Sequence, residues 1–249
     1  MNYRLLDYQI ISVLLLFSLI GCSSSKEILV LDADSTHAEN LEVTDVIKPD
    51  EEMANYLEPY VAPVREKMNH VLTVSEGSFT VSQPEGALGN LAADIIRSRA
   101  TYEMRARVDI AIMNNDRLRT PLLEGEITVG HIFEMMPFDN HITVLRFSGS
   151  QILDIADEIA EKGGGPVSGM RMRIQDGKAR DVLIGHRQVN PGRDYWVATT
   201  DWMANGGGDM PTLWYPLERV DHELLARDAI LDYLSNKSAI QPKIDYRLR

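Results

Sequence analysis

Val108-Asp109-Ile110-Ala111-Ile112 runs almost directly into Asn114-Asn115-Asp116-Arg117-Leu118-Arg119, and this junction sets the architecture to expect. The first run is short, apolar and rich in β-branched residues, the pattern of a buried strand. The polar cluster begins where such a strand would end, at the edge of a sheet where binding groups are commonly displayed. Upstream, Leu88-Gly89-Asn90-Leu91-Ala92-Ala93-Asp94 opens a helix that places Leu88, Leu91, Ala92 and Ile95 on one face. Asn90 and Asp94 read as polar packing within it. Downstream, Gly125-Glu126-Ile127-Thr128 leads into a short helix over 129–135 with Thr128 as its cap. A strand follows over 142–147, then an amphipathic helix over 151–162 carrying Ile152, Ile155, Ala156 and Ile159. Gly163-Gly164-Gly165-Pro166 ends that helix. Strand-like runs over 170–174, 181–184 and 195–199 precede a last helix over 224–234 and a polar tail. Residues 47–74 read as mostly helical, with Met53, Tyr56, Leu57, Tyr60 and Val64 near helical spacing and Pro63 breaking or kinking the run. Strands and helices alternate, which gives an α/β (α+β) class with mixed sheets.

A chain of 249 residues can bury one substantial core. The formal charge of -12 argues against a nucleic-acid polymer as partner, since phosphate backbones are held by clustered Lys and Arg. A mononucleotide needs only a few local cations. At the N-terminus, Arg4 precedes an apolar run from Ile10 to Ile20, which is shorter than the ~20 residues a spanning helix requires. Residues 1–21 therefore read as a signal peptide. Leu19-Ile20-Gly21-Cys22 resembles a bacterial lipoprotein cleavage box, and Cys22 is the only cysteine, so lipidation of Cys22 and a membrane anchor outside the cytoplasm are expected. The polar, acidic residues 22–46 then form a tether to a domain over 47–249, made of a leading helix (47–74) and a core (75–249).

Two further stretches complete the pattern: Met136-Pro137-Phe138-Asp139-Asn140 and Asp201-Trp202-Met203-Ala204-Asn205-Gly206-Gly207-Gly208-Asp209. A mononucleotide asks for aromatic faces for its base, amides for the base edge, a carboxylate or amide for the ribose and an Arg fork for phosphate. Phe138, Trp202, Asn114, Asn140, Asp209 and Arg119 supply those groups. Isolated aromatic rings are also common core residues, and Asn and Arg are common in solvated turns, so the residue types alone leave both readings open.

In this order and spacing the three motifs resemble the nucleotide-binding C-terminal domain of the 5'-nucleotidase family, over about residues 47–249. The resemblance implies helices layered around packed mixed sheets. It implies that Phe138 and Trp202 stack on a base, Asn114 and Asn140 contact the base edge, Arg119 faces the phosphate and Asp209 holds the ribose. Three departures stand out. Asp116 and Arg117 replace the paired glycines of the family's Asn-x-Gly-Gly-Ile-Arg motif, changing the loop's shape or crowding the pocket. Asp209 arrives one residue later than the family's ribose Asp. Ser82-Gln83-Pro84-Glu85 stands where relatives carry a phosphate-binding Arg.

The family's catalytic half holds two metals through Asp-x-His, Gly-Asp, Gly-Asn-His-Glu and Gly-His-x-His motifs, and this sequence contains no such set. The six histidines are scattered, and the glycine runs lack the Lys-Ser or Lys-Thr of a phosphate-binding loop. No catalytic residue and no cofactor is therefore expected in this chain, with two divalent metals expected in a partner. The first expectation is the nucleotide-binding subunit of a split 5'-nucleotidase, partnered by a separate metallophosphatase chain. The alternatives are a tethered nucleoside or nucleotide receptor and a degenerate scaffold that anchors a phosphatase.

Overall fold

The computed structural model describes Thr44 and residues 47–249. Signal peptide, Cys22 and nearly all of the tether thus lie outside the described residues. Glu51–Arg249 forms one unit. Its elements in chain order are α1 (Glu51–Met68), β1 (Val71–Ser75), α2 (Ala87–Met104), β2 (Ile110–Ile112), β3 (Gly125–Thr128), α3 (Val129–Met135), β4 (His141–Ser148), α4 (Gly149–Glu161), β5 (Val167–Ser168), β6 (Met170–Gln175), β7 (Lys178–Ile184), β8 (Arg187–Gln188), β9 (Asp194–Thr200), α5 (Asp201–Ala204), β10 (Glu218–Leu225), α6 (Ala226–Ser235) and β11 (Ala239–Ile240). The mixed α/β class expected from the alternation is what the chain adopts.

A five-stranded sheet in the order β10-β4-β9-β2-β5 divides two hydrophobic cores. Only the β2–β9 pair within it is parallel. Period-two alternation sends neighbouring residues to opposite faces. On β4, Ile142 and Val144 face the core built with α2 and α6, while Leu145 and Phe147 face the core built with α4. On β2, Ala111 faces the first core, and Ile110 and Ile112 the second. A three-stranded sheet β6-β7-β8 closes the second core, and β11-β1-β3 borders the first. The helix starts follow from local chemistry. Thr128 accepts a hydrogen bond from the His131 backbone N–H at α3, and Ser148 accepts one from Gln151 at α4, each within a reciprocal capping box.

Three expectations need correction. The leading helix does not run over 47–74: it spans Glu51–Met68, and Val71–Ser75 is instead a strand paired with β3 and β11. Pro63 does not break it, for α1 continues through both Pro59 and Pro63. None of its residues is buried, so water can satisfy the carbonyls that the prolines leave without donors. Lastly, the end of the chain is no free polar tail. Ala239–Ile240 pairs with β1, Leu248 bridges to Met172, and Arg247 is buried. β10, placed at the sheet edge beside β4, went unanticipated because its sequence, Glu-Arg-Val-Asp-His-Glu-Leu-Leu, carries too little apolar alternation.

Candidate functional site

The site is assembled by loops at one end of the five-stranded sheet. After α3, Pro137 turns the chain and Phe138 follows on a loop held from behind by Arg227 of α6. This guanidinium is buried, donates to the carbonyls of Met136 and Phe138 at 3.4 Å each, pairs with the Asp139 carboxylate, and stacks over Phe133 at 4.3 Å. The Ala226 N–H donates to the Asn140 carbonyl at 2.8 Å. Asp201, the first residue of α5, joins this loop to the next. Its Oδ1 accepts from the backbone N–H of Trp202 at 2.7 Å, from that of His141 at 3.1 Å and from Asn140 Nδ2 at 3.4 Å. Its Oδ2 stands 3.5 Å from His141 Nδ1.

Trp202 rests on the glycine turn that follows. A Cβ at Gly207 would come within 2.3 Å of the indole carbons, so the ring can lie there only because residue 207 has no side chain. Arg219 ties the turn to β10 by donating to Asn205 Oδ1 at 2.7 Å and to Asp221. Burial pushes the Asp221 carboxyl upward, but hydrogen bonds from Thr143 and Arg219 outweigh it and hold Asp221 below the ordinary carboxylate range.

Phe138 and Trp202 flank a common slot, and that slot is filled. The Arg117 guanidinium lies 4.2 Å from the Phe138 ring centre and 3.7 Å from that of Trp202. Both distances are inside the ~6 Å reach of a cation–π contact. Arg117 ends a 3-10 turn, Asn115–Arg117, that follows β2. Thus Arg117 sets one flat cation against two aromatic faces at once.

The other sequence-derived residues fall in three places. Asn140 and Trp202 line an opening with Asp201, Asn205, Gly206 and Gly207. Asn114 and Asp209 line a neighbouring cleft of about 300 Å³, together with Asp116, Lys162 and Gln83. The 206–209 turn contributes to both. Asn114 Nδ2 is buried with no hydrogen-bond partner among the described residues, leaving an amide donor uncommitted at the cleft. Asp209 is exposed and holds a left-handed backbone conformation, φ 47°. Arg119 lines neither space: it is exposed, and its Nη1 donates only to the Asp116 carbonyl, at 3.4 Å. Arg227 and Asp201 escaped the sequence reading. Arg227 sits in an ordinary amphipathic helix and gave no signal, whereas Asp201 was adjacent to Trp202 at a helix start and could have been weighed as its anchor. Among the described residues, no group of three or more His, Cys, Asp or Glu side chains stands together as a metal ion would require.

Comparison with known proteins places this geometry in context. The family model described as "5'-nucleotidase, C-terminal domain" matches residues 69–214. The chain is similar to a 5'-nucleotidase of Vibrio parahaemolyticus, with 26% identity over 211 residues that cover 80% of this chain and 36% of that protein. Among solved structures, it resembles a 5'-nucleotidase precursor from Thermus thermophilus, with a TM-score of 0.68, 24% identity, and coverage of 81% and 43%. An NAD nucleotidase of Haemophilus influenzae shares the fold at a TM-score of 0.63 and 16% identity, covering 80% of this chain and 41% of that one. The chain thus spans roughly a third of the length of the curated relative.

Proposed function

This chain belongs to the 5'-nucleotidase C-terminal domain family, and on that footing we propose that it is the nucleotide-binding subunit of an extracytoplasmic nucleotide phosphohydrolase whose metal-bearing half is a separate chain. One observation carries the reading: a single flat guanidinium touches the faces of both Phe138 and Trp202, so the two rings are spaced to grip one planar group. In the working complex that group is a nucleobase. Asn140 and the uncommitted Asn114 amide serve the base edge and adjoining polar atoms, Asp209 serves the ribose, and Arg119 is free to turn toward the phosphate. The chain orients substrate, while the partner supplies two divalent metals and the attacking water.

The first helix gives such a partner a surface. Tyr56, Leu57, Tyr60, Val61 and Val64 recur at helical spacing on α1 and all are exposed. No described helix is long and apolar enough to cross a membrane, and the proposed anchor is a lipid on Cys22.

Calorimetric titration of the full chain with AMP tests the reading. Saturable binding that disappears in Phe138→Ala is expected. Absence of binding at millimolar AMP, both in the natural chain and in a variant with the slot emptied, would sink it. Addition of a metallophosphatase chain from the same source should then release phosphate from AMP only while Phe138 is intact. The scaffold reading has its own support in the same contact, because a slot filled by the chain itself needs no nucleotide. It predicts partner binding indifferent to Phe138→Ala.

A further inference from the structure

Arg117 differs from other buried or half-buried arginines of the molecule. Arg227 pairs with Asp139, Arg146 with Asp194 and Glu218, and Arg247 with Asp94 and Asp245. Among the described residues Arg117 makes no ion pair and no side-chain hydrogen bond; its partners are the two π faces alone. Each such contact is weak and is given up without stranding a charged partner, whereas breaking a buried ion pair leaves an uncompensated charge behind. The loops that carry the rings, by contrast, are tied by hydrogen bonds: Arg227 donates to the Phe138 carbonyl, Asp201 accepts from the Trp202 and His141 N–H groups, and the Trp202 ring lies against Gly207. The walls of the slot stand on hydrogen-bonded loops, and its occupant is a long side chain with no hydrogen bond of its own.

We propose that Arg117 is a displaceable resident of the aromatic clamp and thereby a specificity determinant for anionic ligands. The inference rests on the base-clamp reading above. A base enters only when the guanidinium leaves, and leaving forfeits both π contacts. An uncharged nucleoside offers nothing in return. A nucleotide brings a phosphate whose oxygens can take the freed guanidinium fork in charge-assisted hydrogen bonds, so the displaced side chain adds to binding. Arg117 therefore lowers affinity for nucleosides through competition and favours their phosphorylated forms. Arg119 follows two residues on, so a second guanidinium is carried by the same loop beside Asp116.

The experiment is calorimetry of the full chain and its Arg117→Ala and Phe138→Ala variants, each with adenosine and with AMP. Because a closed slot reduces apparent affinity by the fraction of open molecules, Arg117→Ala should tighten adenosine by about tenfold. The ratio of AMP to adenosine affinity should shrink in the same variant. If Phe138→Ala abolishes binding but Arg117→Ala leaves adenosine affinity unchanged or weakened, the clamp reading stands and the gating inference is overturned. If no variant binds either ligand, the clamp reading fails and takes the inference with it. A second readout needs no ligand. Emptying the slot uncovers one face of Trp202, so Arg117→Ala should raise quenching of tryptophan fluorescence by acrylamide, and the rise should vanish in a Trp202→Phe background. Unchanged quenching would show that Arg117 does not rest on Trp202, and would refute the proposal on its own.

Discussion

Two arginines organise opposite kinds of region in this molecule. Arg247, close to the chain's end, donates to both oxygens of Asp94 at 2.9 and 3.0 Å, to Asp245 at 2.8 Å and to the Val167 carbonyl at 2.8 Å. The buried Glu85 carboxylate stands 3.9 Å away and in turn accepts from Asn90 and from the backbone N–H groups of Asp245 and Leu248. Burial alone would lower the affinity of Arg247 for its proton, but Asp94 and Asp245 more than reverse that and hold it firmly protonated. Arg117 has no such partners, only two aromatic faces. A guanidinium whose forks are satisfied by carboxylates inside the protein is a structural bolt. One held by π faces alone keeps its hydrogen-bonding edge unspent and can be exchanged.

That contrast sets the order of expected effects. Arg247→Ala leaves the buried Glu85 with no cation beside it, removes the fork from Asp94 and leaves Asp245 with Arg171 alone, and should cost about 3–5 kcal/mol. The thermal midpoint should fall by about 10 °C for a domain of this size. A loss of only a degree or two would mean that water screens the network and the bolt is loose. The acid limb of stability sharpens the same point. Burial raises the Asp245 carboxyl, but its bond from Arg247 and the nearby Arg171 bring it below its usual range. A depressed folded value contributes stability that is present above the unfolded pKa of about 4 and is lost as pH falls through the folded one. Melting temperature followed from pH 6 down to pH 2 should therefore drop below about pH 4, and Asp245→Asn should flatten part of that drop while lowering stability at neutral pH.

Smaller effects belong to the clamp. Arg227→Ala should cost about 1–3 kcal/mol, since the Phe138 loop loses donors for two carbonyls and a carboxylate partner. AMP binding should be lost with it, a result that separates loop positioning from mere folding if the purified variant still melts cooperatively. Gly207→Ala forces a methyl group into the Trp202 ring and should cost about 1–3 kcal/mol by overpacking. The indole should shift off its seat, visible as a change in tryptophan emission. Smallest of all is Arg117→Ala, whose stability change should stay within about 1 kcal/mol even as adenosine affinity rises. If Arg117→Ala destabilised the fold as much as Arg247→Ala, the distinction between bolt and exchangeable occupant would collapse.

The Ile110–Ile112 strand, the α3 and α4 helices and the Thr128 cap were legible beforehand, because each depends on apolar period or on a hydrogen bond three residues away. β1 was misread as helix because five residues next to a helical pattern carry little period of their own. The aromatic pair could be picked out from its motifs. The local bond of Asp201 to the Trp202 N–H lay within reach of that reading, but the reach of Asp201 back to Asn140 and His141, and of Arg227 to Met136, spans distances in sequence that no local pattern encodes.

What the chain's sequence determined by itself is therefore the local layer: element types, helix starts, the family and the identity of the groups that could meet a nucleotide. Even the replacement of a small loop residue by Arg117 was visible, as a change of size and charge. Only the tertiary structure decided that this guanidinium fills the slot between Phe138 and Trp202, and that Arg247 closes a buried network with Glu85, Asp94 and Asp245. The physical reason is the same in both cases. A long side chain's partner is whatever the packed fold brings within a few ångströms of its tip, and that neighbour is set by the assembly of distant segments, not by the residues beside it in the chain.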